Sequence, residues 1–494
     1  MAFGHRSRLY DPVLPRHIVL AGCIVVLGAW LRFRGAQGDL WLDEIWSLNL
    51  TATLNAWHEV FWKLIHDNNH HLNTLWLYIV GEGREAWIYR LASIVAGTLS
   101  ILVVGWAVAR DGAAKMLIAM LLCAILYPLV HFGSEARGYG LMMLFTYVAF
   151  IAVDRAHDHR ASSRWLFGLA TLLAAASHLS SLPILFMMCV AYMGHVWRME
   201  RRFWEAFRQT LWFAAPAAGA LAVIGGAITY GLKNITTDWY GGRATTCPPE
   251  GCFVGAWDEL VLYATGGFAP PFPGLYAGFF ALLIITFILS FISIGHRRTY
   301  LYGALFIGTP AIYLALNQPN LPFGRYFISV FAFVPLLIAD TLGGQFKRSL
   351  FNRTLWGIAL MTLIGVNAWG LQKFFHDGRG HYRAAVAKIE NATTHFPITI
   401  GSDMVFRLST VFDYYRASPV KYVMSQNVSG ERPDWLVTVL NRPADMPPHI
   451  CLGGAQTDAP SVVYKRAAIY RTWGLAGTDW GVYRIELNAP EGQC

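Results

Sequence analysis

Gly38-Asp39-Leu40-Trp41-Leu42-Asp43-Glu44-Ile45-Trp46-Ser47 sets two adjacent carboxylates among tryptophans, just past the first long apolar run of the chain. Acidic groups at the lip of a membrane span are costly unless solvated or employed. Asn68-Asn69-His70-His71 follows, polar and titratable, and opens a second apolar stretch. The segment from 38 to 73 therefore reads as the edge of an active site lying against a bilayer.

Working outward, the 494 residues are 55% hydrophobic and 14% charged, against roughly 25% charged in soluble domains. That composition, with its long apolar runs, describes a polytopic membrane protein. The formal charge of +9 would suggest nucleic acid in a soluble chain. Here Arg and Lys cluster in short loops between apolar runs, as membrane topology requires, and no nucleic-acid partner is expected. Leu20-Ala21-Gly22-Cys23 resembles a lipoprotein cleavage box. Only about three apolar residues precede it, where a signal segment needs roughly seven or more, so it reads as part of a helix.

Apolar runs near 16–33, 87–109, 113–131, 139–153, 165–178, 181–196, 210–230, 272–294, 300–316, 323–341 and 353–371 predict about eleven crossings of a core of about 30 Å. Leu72 to Val80 is roughly half the needed length and reads as an interfacial or re-entrant helix. With it left uncounted, Arg6 and Arg8, Arg110 and Lys115, Arg155 with Arg160 and Arg164, Arg198, Arg201 and Arg202, Arg297 and Arg298, and Lys347 and Arg348 share one face. The positive-inside rule makes that face the cytoplasm. The amino terminus is then inside, and the Asp43 loop, the 231–271 loop and everything after about residue 372 are outside the plasma (inner) membrane.

Residues 1–371 thus form an α-helical polytopic membrane domain, and 372–494 a different kind of unit. Pro397 to Ile400, Pro419 to Val423, Trp435 to Leu440 and Trp480 to Glu486 are β-like runs, and Met404 to Tyr415 has its aromatic residues on one helical face. The expectation is a small extracytoplasmic α/β domain. Cys23, Cys123 and Cys189 fall in apolar spans and read as packing residues. Cys247, Cys252, Cys451 and Cys494 fall outside, where disulfides form, and Cys247-Pro-Pro-Glu-Gly-Cys252 reads as a local bridge. A zinc site would need further ligands in that loop.

On this topology the outer loops and span mouths hold Asp43, Glu44, His70, His71, His131, Glu135, Arg137, Tyr139, His178, Lys233, Asp238, Arg243, Arg325 and Tyr326. The inner loops carry mostly plain basic anchors, so the chemistry faces outward. An enzyme there has no nucleotide supply, and a glycosyl donor has to arrive on a lipid carrier. Arg forks suit a phosphate leaving group, and Arg137 and Arg325 stand at the outer boundary. Asp43 or Glu44 can take the proton of an acceptor hydroxyl as the sugar carbon is attacked. Each residue also has a plainer reading. The Asp-Glu pair could be a solvated cap or the partner of Arg32 or Arg34; Arg137 and Arg325 could snorkel; His178 could bond a neighbouring helix. Adjacent His70 and His71 cannot both face one way on a helix, so one of them at most is expected to face a site.

The order of these motifs resembles the GT-C membrane glycosyltransferases, specifically the relatives of protein O-mannosyltransferases and of the lipid A aminoarabinose transferase. The matching residues are Gly38 to Glu44, Asn69 to Leu75, Gly83-Arg84-Glu85 through Tyr89-Arg90 to Ser93, Ala136-Arg137-Gly138-Tyr139, and Gly324-Arg325-Tyr326. The similarity covers roughly residues 10 to 371. It implies an inverting transfer from a polyprenyl-phosphate sugar to a lipid, glycan or protein acceptor, with Asp43, beside Glu44, as the catalytic carboxylate. His70, His71, Glu135, Arg137, Tyr139, His178, Arg325 and Tyr326 are the implied substrate contacts. Many relatives carry His-Pro-Pro where this chain has His70-His71-Leu72. A monophosphate carrier does not demand a metal, although Asp43, Glu44 and a histidine could bind a divalent cation. The alternative is a transporter or flippase of lipid-linked sugars, which would be expected to show repeated halves; none is visible. A third reading is an assembly protein that docks partners through its external domain.

Overall fold

A computed structural model describes residues 13–156, 158, 160–234, 285, 288, 296–316, 324–345, 349–424, 431–440, 446–452, 462–473 and 475–486. The expected 272–294 span (apart from 285 and 288), Arg6, Arg8, Asp238, Arg243, Lys347, Arg348, Cys247, Cys252 and Cys494 lie outside the described residues. The chain divides into two compact units: Met1–Ala36 with Thr51–Leu371, and Gln37–Leu50 with Gln372–Cys494. Residues 37–50 thus belong with the C-terminal unit.

The first unit is helical. In chain order it holds α1 (Pro15–Gly35) and, after α2 (Leu42–Ala52, which belongs to the second unit except for Thr51 and Ala52), α3 (His71–Val80), α4 (Ala86–Tyr89), α5 (Leu91–Val108), α6 (Ala113–Ile125), α7 (Tyr127–Phe132), α8 (Tyr139–Arg155), α9 (Arg160–Ser177), α10 (Leu182–Glu200) and α11 (Phe203–Asn234). Then come α12 (His296–Gly303), a π-turn over Ala304–Gly308, α13 (Thr309–Ala315), α14 (Ile328–Phe331), α15 (Val334–Gln345) and α16 (Leu350–Asp377). Among the described residues six helical stretches are long and apolar enough to cross a membrane: Pro15–Gly35, Leu91–Asp111, Leu179–Glu200, Phe203–Asn234, Gly324–Gly343 and Leu350–Asn391. Ala113–Ile125 is a shorter apolar helix, and α8, at 17 residues, rises about 25 Å at 1.5 Å per residue. The chain is a multi-pass membrane protein. α3, at 10 residues, is too short to cross.

The expected single span over 113–131 is two helices, and Pro128 is the cause. Proline has no N–H, so the carbonyl of Ala124, four residues before it, has no helical donor. The N–H of Tyr127 goes instead to Asn367 Oδ1 at 2.8 Å, which takes the helical donor from Cys123 as well. Arg32 fills both gaps: Nη2 donates to Cys123 O at 2.9 Å and Nη1 reaches Ala124 O at 3.4 Å and Gly28 O at 3.0 Å. Room for that buried guanidinium comes from Gly97 and Gly133, where an added Cβ would stand 2.5 and 2.8 Å from Arg32 Nε. Arg32 is therefore a partner of main-chain oxygens in the helical unit. Arg90 does similar work, giving its Nη1 proton to the Ala36 carbonyl beyond the last turn of α1 at 2.9 Å.

One end of α8 carries a buried ion cluster. Arg298 reaches Asp111 at 2.6 Å, Asp340 at 3.0 Å and Asp154 at 3.1 Å, while Lys115 pairs with Asp340 at 2.9 Å and Arg297 with Asp154 at 2.9 Å. These contacts gather the ends of α5, α6, α8, α12 and α15. Arg110, Lys115, Arg155, Arg297 and Arg298 thus sit at one end of the helices, as the charge pattern predicts.

The second unit is a mixed sheet with β1 (Ile398–Ser402), β2 (Val420–Met424), β3 (Trp435–Leu440), β4 (His449–Leu452), β5 (Val462–Tyr470) and β6 (Asp479–Ile485), in the order β2-β1-β3-β6-β5-β4. β1 is parallel to β2 and β3, and the other pairs are antiparallel. The parallel β1–β2 pair needs a crossover, supplied by α18 (Val405–Tyr415). α17 (Tyr382–Asn391) precedes the sheet, and Tyr382 packs against Trp480 at 5.0 Å between ring centres. The expected strands and helix are present. β4 and β5 carry no clean alternation: β4 has four residues, and β5 breaks register between Arg466 and Ala468. Cys451 in β4 is disulfide-bonded, whereas Cys23, Cys123 and Cys189 of the helical unit are free.

Candidate active site

The other end of α8 opens a cavity of about 430 Å³, wholly within the helical unit and bordered by Asp67, His70, His71, Arg137, His178 and Tyr326, with Leu64, Ile65, Leu182, Ile228 and Leu316 as apolar wall. Arg137 stands in the turn between α7 and α8. Neighbouring helices satisfy the carbonyls of that turn: Asn73 of α3 donates to Ala136 O at 2.8 Å and Ser93 of α5 to Arg137 O at 3.0 Å. Gly138 lets the turn press against the end of α9, since a Cβ there would overlap the Ser177 carbonyl and stand 3.0 Å from His70 Cβ.

The guanidinium is held from the other side by His70, whose Nε2 lies 2.9 Å from Nη2 and 3.3 Å from Nε. An imidazole that accepts from arginine at Nε2 is neutral and carries its proton on Nδ1. Burial pushes the His70 pKa well below the usual histidine value, and the nearby His178, Arg137, His71 and Arg325 push the same way. His178 follows the last turn of α9, and its ring stacks on His70 with centres 4.3 Å apart. Its Nδ1 accepts the Ser180 N–H at 3.1 Å, which leaves Nε2 as the protonated nitrogen. Tyr139 closes the stack, 4.5 Å from His178, with the Arg137 guanidinium 5.3 Å from its ring centre. The result is one guanidinium beside two neutral imidazoles, a set whose N–H donors suit an anion.

His70 and His71 both border this cavity, against the expectation that one at most would. The helical-face argument fails because His70 is the N-cap, with φ −105° and ψ 89°, and only His71 is helical. His71 lies flat on Phe61, with ring centres 5.7 Å apart, and burial pushes its pKa down to about 4, against the pull of its hydrogen bond to the Phe61 backbone.

Asp43 and Glu44 belong to the second unit and begin α2. Glu44 is fully buried and its Oε2 accepts the N–H of Trp41, the residue before the helix, at 3.2 Å, the backward half of a capping box. Asp43 is half-buried, and its main-chain carbonyl accepts the Ser47 hydroxyl at 2.8 Å.

Folds of known structure give the comparison that sequence does not. The structure of ArnT from Cupriavidus metallidurans bound to undecaprenyl phosphate matches with a TM-score of 0.53, over 95% of this chain and 98% of that one, at 13% identity. This chain has the GT-C fold. The apo state of the same ArnT gives a TM-score of 0.50 over 94% and 97% of the two chains at 14% identity. The apo form of the Archaeoglobus fulgidus oligosaccharyltransferase also gives 0.50, over 91% and 76%, at 12% identity. No family model and no curated protein sequence matches.

Within this GT-C fold the remaining expected residues stand around the cavity without lining it. Glu135 is fully buried, and its carbonyl accepts the Arg137 N–H at 2.8 Å. Arg325 shares the Gly324–Phe327 turn with Tyr326, and it acts on the cavity by charge, as one cause of the lowered His70 value. Sequence reasoning missed Asp67 and Tyr313, which also border the cavity. Asp67 is adjacent to the quoted Asn68-Asn69 pair, and its carboxylate faces His66 Nδ1 at 2.9 Å. Asn69 fixes that loop by donating to Val60 O at 3.0 Å and Leu64 O at 2.8 Å. Tyr313 donates to Ser180 O at 2.7 Å, a contact that no sequence pattern announces. Among the described residues no three His, Cys, Asp or Glu side chains come together as a cation site.

Proposed function

We propose that this protein is an integral membrane glycosyltransferase that moves one sugar from a polyprenyl-phosphate donor to an acceptor outside the cytoplasm, inverting the anomeric centre. The observation that carries the reading is the Arg137 guanidinium held by neutral His70 in a cavity with apolar walls. A phosphodiester between prenyl chain and sugar carries a negative charge with which the Arg137 guanidinium can pair, and its lipid arm suits the Leu64, Ile65 and Ile228 side. The likeness in fold to an ArnT solved with undecaprenyl phosphate supports the same donor class.

In this reading Asp43 accepts the proton of an acceptor hydroxyl while that oxygen attacks the anomeric carbon on the face opposite the phosphate. The bond from that carbon to the phosphate oxygen breaks, and polyprenyl phosphate leaves with the electron pair. Arg137 takes up the growing phosphate charge, and His178 Nε2–H adds a hydrogen bond. A single displacement inverts the centre. Asp43 is preferred over Glu44 as the base because Glu44 is fully buried whereas Asp43 is half-buried and stands where the GT-C resemblance puts the catalytic carboxylate. An orientation with the sheet unit outside is supported by the bonded Cys451 against three free cysteines in the helical unit.

The test is complementation. A strain lacking the gene should lose one envelope glycan, which wild type restores and Asp43→Asn, inserted at equal level, does not. Full restoration by Asp43→Asn would remove the mechanism, and an unchanged glycan profile in the deletion strain would remove the activity.

A further inference from the structure

We infer that the sheet unit is the holder of the proposed catalytic carboxylate, and that Tyr415 is the positioning residue which fixes the turn leading to Asp43. The inference rests on Asp43 being the base and adds what places it.

Every contact concerned lies within the second unit. Gly38, with φ +87°, turns the chain after α1, in a conformation that glycine adopts without strain. Asp39 Oδ2 then accepts the main-chain N–H of Arg383 in the first turn of α17 at 2.8 Å, so a carboxylate from the 37–50 segment occupies a helix start belonging to the sheet unit. Leu40 comes next, and one side chain satisfies both of its main-chain groups. Its N–H donates to the Tyr415 hydroxyl oxygen at 2.6 Å, and that hydroxyl donates to the Leu40 carbonyl at 3.0 Å. Tyr415 is the last residue of α18, and the Arg383 guanidinium lies over its ring at 5.6 Å. Beyond Asp43, Trp46 meets Phe406 of α18 edge to face at 5.2 Å.

The two anchors flank Asp43, Leu40 three residues before it and Trp46 three after. Between them Leu40, Trp41, Ile45 and Glu44 are buried, and Glu44 ties the start of α2 to Trp41. The Tyr415 bonds and the Trp46–Phe406 contact restrain the backbone on both sides of Asp43. A general base needs fixed geometry more than fixed affinity, so the contacts predict an effect on turnover with little effect on donor binding. They also explain why 37–50 belongs with the distant C-terminal segment.

The experiment uses the full chain in liposomes. The donor probe is the prenyl-phosphate lipid fraction of the parent strain's membranes, and the variants are Tyr415→Phe and Asp43→Asn. Tyr415→Phe keeps the ring beneath Arg383 and removes the hydroxyl alone. It should lower kcat at least tenfold, leave the donor KM within twofold, and speed amide exchange at residues 40–46 while the sheet keeps its protection. Unchanged kcat would overturn the inference. So would a joint loss of kcat, donor affinity and sheet protection, the signature of a structural contact alone. Asp43→Asn should be inactive with wild-type exchange at 40–46; if it turns over, the base is wrong, an outcome distinct from an active Tyr415→Phe beside a dead Asp43→Asn.

Discussion

Arg137 Nη2 lies 2.9 Å from His70 Nε2, and this contact joins segments 67 residues apart. It fixes the plane of the guanidinium, because the imidazole lone pair offers one direction of approach.

Arg137→Lys keeps the charge and loses the planar fork. A charge-assisted hydrogen bond is worth about 1.5–3 kcal/mol, so the donor KM should rise about tenfold to a hundredfold. His70→Gln, which still offers an acceptor, should stay close to wild type, and His70→Ala should approach Arg137→Lys. Titrating the prenyl-phosphate fraction measures all three. An unaltered KM in Arg137→Lys would detach the cavity from donor binding.

Acid should weaken the fold around this cavity. His71 is pushed down to about 4 in the folded protein, whereas unfolded histidine titrates near 6.5. Between these values the unfolded chain holds a proton that the folded one does not, so stability is complete above about 6.5 and falls as pH drops toward 4. The loss from this group reaches about 3 kcal/mol. Thermal inactivation midpoints across that range should fall in wild type and fall less steeply in His71→Gln.

Gly138→Ala should be severe, since its Cβ would overlap the Ser177 carbonyl, a backbone atom at the end of a packed helix. Gly365, inside α16, has nothing within 4 Å of its own added Cβ. Gly365→Ala should be neutral or stabilising by up to about 1 kcal/mol. Parallel measurements of activity and heat stability compare the two, and a benign Gly138→Ala would mean that the Arg137 turn is not packed as described.

Arg32→Leu should destabilise the helical unit, because the carbonyls of Cys123 and Ala124 lose their donor in a buried site. Each orphaned carbonyl costs about 1–3 kcal/mol. Arg32→Gln, with an amide N–H in reach of the same oxygens, should recover part of the loss. Unfolding in denaturing detergent reads the difference, and equal stability of Arg32→Leu and wild type would contradict the role.

Arg298→Met strips a cation from three carboxylates, of which Asp340 retains Lys115, Asp154 retains Arg297, and the partly exposed Asp111 loses its ion-pair partner. Stripping the partner from a fully buried carboxylate costs about 3–5 kcal/mol; with Asp340 and Asp154 still paired and Asp111 partly exposed the loss should be smaller than that, so the variant should melt lower, with Arg298→Lys between. Heating followed by size-exclusion chromatography gives the order.

The sequence by itself determined the class of the molecule. Apolar runs of membrane length, basic residues concentrated in alternate loops and a β-patterned tail were enough for a helical membrane fold with a small sheet unit, because lipid imposes length and charge rules that are local in the chain. It also marked His70, Arg137, His178 and Tyr326 as polar groups at span ends. Only the tertiary structure decided that these four border one cavity, that both histidines do, and that Asp67 joins them, since spacing along the chain carries no distance between separate helices. The same holds for Arg32. Its sequence context suggested a partner for Asp43, yet it serves the carbonyls freed by Pro128, an acceptor pair that exists only once α1 packs on α6. Asp43 itself was legible as a residue, while its attachment through Leu40 and Tyr415 was not: a hydrogen bond between main chain and a side chain 375 residues away leaves no periodic trace.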